Sequence, residues 1–263
     1  MSDRQHLPGK FVWFELVSKG AKTAQAFYGE VLGWTVRPFP MGDFDYEMIW
    51  AGETMIGGYA APQHRAHWQQ NNARPSRWVS YVSVEDVDAS AKGAVANGGK
   101  VVEAPFDAPG VGRMARIADP RGAELFLIKN ASGDAADTLA THGRWLWNEL
   151  HTDDPTQALA FYDKVIGFSH HSVDVGPGGT YHILSKGGVD RGGVTGHLPG
   201  GVPPHWLPYV AVDDVDSTIA RARKLGATIP MSPEDIPGVG RFGVLEDPTG
   251  AVLAIMKPIP MQT

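Results

Sequence analysis

Two glutamates each stand two residues after a tryptophan, at the start of two similar stretches. One stretch is WFELVSKGAKTAQAFYGEVLGW, from Trp13 to Trp34; the other is WNELHTDDPTQALAFYDKVIGF, from Trp147 to Phe168. A carboxylate one step behind an indole can act as a general base that moves a proton next to a carbonyl. It can also be a buried anion that bonds its neighbours and staples the fold, since an unpaired one costs on the order of several kcal/mol. Glu15 and Glu149 are therefore the candidate catalytic pair. Trp13, Trp78, Trp147 and Trp206 are candidates to line an apolar ligand cavity, with core filling as the alternative. Tyr46 pairs by hairpin length with Tyr181, and Glu47 with His182, so one member of each neighbouring pair is expected to reach the same cavity. Arg113 and Arg241, in two PGVGR turns, are placed to anchor an anionic ligand. Gly57–Gly58 and Gly192–Gly193 interrupt strands, which marks a bulge or a close ligand approach. His64 and His67, three apart in PQHRAHW, read as a solvated loop.

Composition narrows the chemistry. The chain has no cysteine, which removes disulfides, thiolate metal sites and a cysteine nucleophile. Its net charge is −6 with mixed signs and no basic stripe, so no nucleic-acid partner is expected. No apolar run is long enough to span a bilayer, and MSDRQHLPGK is not a signal peptide, so a cytoplasmic protein without a membrane partner is expected. Nucleotide-binding and serine-hydrolase motifs are lacking.

The elements that must position these residues occur twice. Trp13, Glu15, Phe27, Tyr28 and Gly33 match Trp147, Glu149, Phe161, Tyr162 and Gly167, each 134 positions later. WVSYVSVEDVD matches WLPYVAVDDVD, PGVGR matches PGVGR and DPRGA matches DPTGA, each 128 later. This is a duplication, with copies at 1–132 and 133–263 and a polar joint, ASGDAADTLATHGR, that reads as a linker. Within each copy the pattern reads strand, helix, three strands, then the same again. In the first helix Ala24, Phe27, Tyr28, Val31 and Leu32 fall at helical spacing and Gly33 stops it; its twin is capped by Asp153 or Asp154, with Pro155 in the first turn. Strand alternation puts Trp13, Glu15 and Val17 on one face and Trp147, Glu149 and His151 on the equivalent face of the twin.

FYGEVLGW and FYDKVIGF, VEDVD and VDDVD, and DPRGAELF and DPTGAVLA resemble the glyoxalase/bleomycin-resistance/extradiol-dioxygenase group, the vicinal oxygen chelate superfamily, over nearly the whole chain. The resemblance implies an α+β fold of two tandem modules: four βαβββ units forming curled mixed sheets, or cups, with helices on the convex side. Metal-using members place a His or Gln on the first strand, a His at the start of the fifth and a Glu on the last. Carried over, these positions fall on Trp13 and Trp147, Trp78 and Trp206, and Phe126 and Ala254. None of these side chains ligates a cation. The reading is a metal-independent protein without a cofactor, which holds an apolar or aromatic small molecule in a Trp-lined cup. The alternative is a glyoxalase-like lyase or isomerase, or an oxygenase of secondary metabolism, with a cup glutamate as base. Ala254 leaves room that Phe126 fills, so if one cup alone is open it is the second. A homodimer is left open.

Overall fold

The computed structural model describes residues 5–41, 44–60, 76–176 and 179–259. His64 and His67 lie outside them. In the first copy β1 (Phe11–Val17) leads into α1 (Ala21–Leu32), β2 (Thr35–Met41), β3 (Phe44–Ala51) and β4 (Thr54–Ala60). Then β5 (Arg77–Ser83) leads into α2 (Val87–Ala96), β6 (Lys100–Ala108), β7 (Gly112–Ala118) and β8 (Glu124–Asn130). The second copy repeats this with β9 (Trp145–His151), α3 (Pro155–Ile166), β10 (Ser169–Asp174), β11 (Thr180–Lys186) and β12 (Val189–Thr195). It closes with β13 (His205–Ala211), α4 (Val215–Lys224), β14 (Thr228–Ile236), β15 (Gly240–Glu246) and β16 (Val252–Pro258). Each copy forms one eight-stranded mixed sheet, in the orders β2-β3-β4-β1-β5-β8-β7-β6 and β10-β11-β12-β9-β13-β16-β15-β14. This is the expected α+β fold of curled, open sheets with helices. Among the described residues no helix is long and apolar enough to cross a membrane.

Local chemistry explains the elements. α1 buries Ala24, Phe27, Tyr28, Val31 and Leu32 and ends at Gly33, whose φ of 70° only glycine adopts cheaply. Asp154 caps α3 by accepting from Gln157 N, ahead of Pro155. The VEDVD and VDDVD motifs do two jobs each. Asp86 and Asp214 cap α2 and α4, while Asp88 and Asp216 receive Arg113 and Arg241.

Packing divides the chain differently from the duplication. One compact unit comprises Met1–Trp13, Val79–Asp137 and Trp147–Leu207; the other comprises Phe14–Trp78, Thr138–Leu146 and Pro208–Thr263. Each unit thus combines half of one copy with half of the other. In unit one α2 packs on α3, and Val82, Leu125 and Leu127 share a core with Leu150, Tyr162 and Trp206. A buried relay runs through that core: Trp206 Nε1 donates to Tyr162 Oη at 3.0 Å, and Tyr162 Oη donates to Asp119 Oδ2 at 3.3 Å. Burial raises the Asp119 pKa, although backbone amides and the tyrosine favour its charge. Unit two repeats the device. Trp78 Nε1 donates to Tyr28 Oη at 3.0 Å, and Tyr28 stands against Asp247. Phe14, Trp34, Trp78 and Trp145 cluster around that tyrosine's side of the sheet.

The joint between the copies is clasped. Asp134 accepts from Leu7 N at 2.7 Å, Ser83 Oγ at 2.6 Å and Asn130 Nδ2 at 2.6 Å. Asp137 pairs with Lys10 and Arg191, which holds its pKa below the usual carboxylate value. In unit two the rest of the joint docks through Trp34 Nε1, which donates to the Gly143 carbonyl at 2.7 Å.

Candidate functional site

On β9 the Leu150 side chain enters the core beneath α3. Its neighbour Glu149 therefore faces away from the helices, together with Trp147 and His151. Glu149 is 9% exposed. Tyr181, from β11, bonds its carboxylate, and Trp147 Nε1 donates to Tyr181 Oη at 2.8 Å. His151 Nε2 lies 2.7 Å from Glu149 Oε1, an ion-pair contact off the ideal hydrogen-bond line. His151 Nδ1 donates to the His197 carbonyl at 2.7 Å. His205 stacks on His151, with ring centroids 5.2 Å apart and planes 9° from parallel.

The proton balance of this cluster is uneven. Burial opposes a charge on His151, yet the Glu149 contact and the His197 carbonyl outweigh it and raise its pKa above 6.5. Burial lowers the pKa of His205, and the neighbouring His151 adds to this; the Pro203 carbonyl and Glu149 oppose it only in part. Burial and the adjacent carboxylate push the Tyr181 phenol far above its ordinary value, so it stays a donor.

Unit two carries a simpler counterpart. Glu15, 1% exposed, accepts from Tyr46 Oη at 2.8 Å. Val17 stands where the second copy has His151, and Arg77 where it has His205. In both units a glycine lets the tyrosine through. Gly58 is in register with Glu15, and Gly193 with Glu149. A Cβ on either would collide with the Tyr46 or Tyr181 hydroxyl. The preceding glycines, Gly57 and Gly192, have no room either, because a Cβ would meet the carbonyls of Phe14 and Asn148. The close approach expected at these glycine pairs is therefore made by the chain's own groups.

The other sequence candidates divide. Trp13 and Trp147 share a strand face with their glutamates, as alternation requires. Trp78 and Trp206 do not join them: both turn to the helices, where the tyrosine hydroxyls of α1 and α3 accept their indole N–H groups. A buried indole needs such an acceptor. His182 points away from Tyr181, bonding Ser172 and meeting His170 edge to face. Arg113 and Arg241 are closed onto Asp88 with Asp107 and onto Asp216 with Asp235, so their charge is spent within the chain. Phe126 lies on the face away from the helices, stacked on Tyr81 at 4.3 Å with Arg116 above it, and Arg116 pairs with Glu124 at 3.0 Å. The equivalent second-copy positions are Val244, Val252 and Ala254. His205 is the residue that reading the sequence missed. Placing Trp206 inward turned His205 toward the helices; shifting the alternation of HWLPYVA by one residue brings it to Glu149.

The divalent ion implied by the resemblance does not fit these donors. Both His151 nitrogens are engaged. The nearly parallel stack also keeps the in-plane lone pairs of His151 and His205 from meeting on one ion. Among the described residues no group of three His, Asp or Glu is disposed to hold a metal.

Comparison with known proteins agrees with this architecture. Residues 146–255 match the model of the Glyoxalase/Bleomycin resistance protein/Dioxygenase superfamily, and residues 10–46 that of the bleomycin resistance protein-like N-terminal family. "Putative glyoxylase CFP32" of Mycobacterium tuberculosis is 37% identical over 252 residues, 95% of each chain. The anthracycline biosynthesis protein DnrV of Streptomyces peucetius is 32% identical over 264 residues, covering 95% of this chain and 94% of its own. The Mn(II)-bound glyoxalase from Novosphingobium aromaticivorans shares the fold, with a TM-score of 0.65 and 19% identity over 97% of this chain and 85% of that one.

Proposed function

Because the chain belongs to the glyoxalase/bleomycin-resistance/dioxygenase superfamily, we propose that it is a metal-independent binding member, which holds a flat fused-ring small molecule against the Trp147 face. One observation carries this reading. The carboxylates best placed for chemistry are already closed by the chain's own groups: Glu15 by Tyr46, and Glu149 by Tyr181 and His151. What remains is a fixed wall of rings, and satisfied polar groups behind rings make a preorganised surface for another ring. The relative named for anthracycline biosynthesis supports a fused-ring ligand. A cytoplasmic protein with no nucleic-acid partner belongs to the same reading.

Calorimetric titration with anthraquinone-2-sulfonate in the presence of a chelator tests it. The expected result is saturable binding, weakened about tenfold or more by Trp147→Ala. No binding, or binding that requires an added divalent ion, overturns it. Elemental analysis of protein purified without chelators adds an independent check, and a stoichiometric divalent ion is the adverse outcome.

A second reading, a glyoxalase-like lyase or isomerase, draws on the His151–Glu149 contact, where a proton can be held between two titratable groups. It predicts solvent deuterium entering a carbonyl substrate next to the carbonyl, with loss of that exchange in Glu149→Gln.

A further inference from the structure

Building on the ring-binding reading above, we infer that the bound molecule carries a phenolic or enolic hydroxyl, which donates its hydrogen to Nε2 of His205. The His205 ring has a fixed orientation. Its Nδ1 donates to the Pro203 carbonyl at 2.9 Å, so in the neutral ring Nε2 is the lone-pair acceptor. The ring also has a reason to stay neutral. The two nitrogens of His151 face a carbonyl and a carboxylate, both acceptors, and these neighbours favour the doubly protonated, positive form of the ring. That charge lies in the stacked ring beneath His205. The charged groups acting on His205 are His151 and Glu149, both from β9; the first and the ring's burial keep it unprotonated, which the second offsets only in part.

An acceptor held neutral beside a cation selects a hydrogen donor of mild acidity. A carboxylate ligand offers Nε2 no hydrogen, and an ether offers none either. A phenol or enol supplies the hydrogen and also a flat ring for the stack. The hydrogen stays on the ligand oxygen in this arrangement, because moving it to His205 would place two imidazolium rings face to face. The first copy lacks this acceptor: Arg77 occupies the equivalent position, and a guanidinium can only donate.

The test compares 2-naphthol with 2-methoxynaphthalene by calorimetry on the full chain. 2-Naphthol is expected to bind about tenfold more tightly, the size of effect that one well-made hydrogen bond produces. His205→Phe keeps a stacking ring and is expected to bind both probes alike, near the affinity of the ether for the unaltered protein. His205→Gln, with an amide oxygen that can accept, is expected to restore part of the preference. The naphthol preference should persist below pH 6.5 and disappear only once His205 takes up a proton. Equal affinities in the unaltered protein, or a preference that survives His205→Phe, overturn this inference and leave the ring-binding reading standing. Failure of both probes to bind overturns the two together.

Discussion

The ring of Tyr181 lies across Gly193, the residue in register with Glu149, and reaches that carboxylate over a backbone with no side chain in the way. Tyr46 crosses Gly58 to Glu15 in the same manner. Gly193→Ala is therefore expected to destabilise the fold by about 1–3 kcal/mol, since a methyl there forces the ring off its position. In a Tyr181→Ala background the same change should cost less, because the obstructing ring is gone. Urea unfolding of the four proteins of this cycle measures the difference; additive costs would contradict the crossing.

His151 and His205 pull the pH dependence of stability in opposite directions. The folded pKa of His151 is raised, so its contribution is fully present below the unfolded value of 6.5 and is lost as the pH rises through the folded value. The folded pKa of His205 is lowered, so stability is intact above 6.5 and falls as the pH drops toward its folded value. Glu149→Gln should lower the pKa of His151, because burial is then opposed by the His197 carbonyl alone. Proton NMR titration of the two rings between about pH 5 and pH 8 reports both shifts.

The relay from Trp206 through Tyr162 to Asp119 joins residues of both copies inside unit one. Tyr162→Phe leaves the buried indole N–H of Trp206 without its acceptor, at an expected cost of roughly 1–3 kcal/mol. Asp119→Ala should cost at least as much, since the Arg121 and Ala123 amides also donate to that carboxylate, each at 2.9 Å. Thermal unfolding measures both. Unchanged melting temperatures would show that the relay contributes nothing to stability.

Asp134 holds the joint to the N-terminal segment through three hydrogen bonds. Asp134→Ala is expected to speed chymotryptic cleavage at Leu139, which is 76% exposed a few residues beyond the clasp. Cleavage at the unaltered rate would mean that the joint is held elsewhere.

The duplication, the order of strands and helices, the α1 stop at Gly33 and the shared face of Trp147, Glu149 and His151 could all be read from the chain alone. Each follows from local rules: periodicity, capping and alternation act over a few residues. The sequence could not settle which face of β5 and β13 meets which partner. Both strands are buried almost throughout, so alternation offers no polar side from which to take the phase. That one-residue ambiguity hid His205 and misplaced Trp78 and Trp206. Tertiary packing alone decided three further points. The arginines of the PGVGR turns are consumed by aspartates 25 positions upstream. Tyr46 and Tyr181 spend their hydroxyls on the glutamates. Half of each copy packs with half of the other, a choice made by which apolar faces fit together rather than by the order in which the chain presents them.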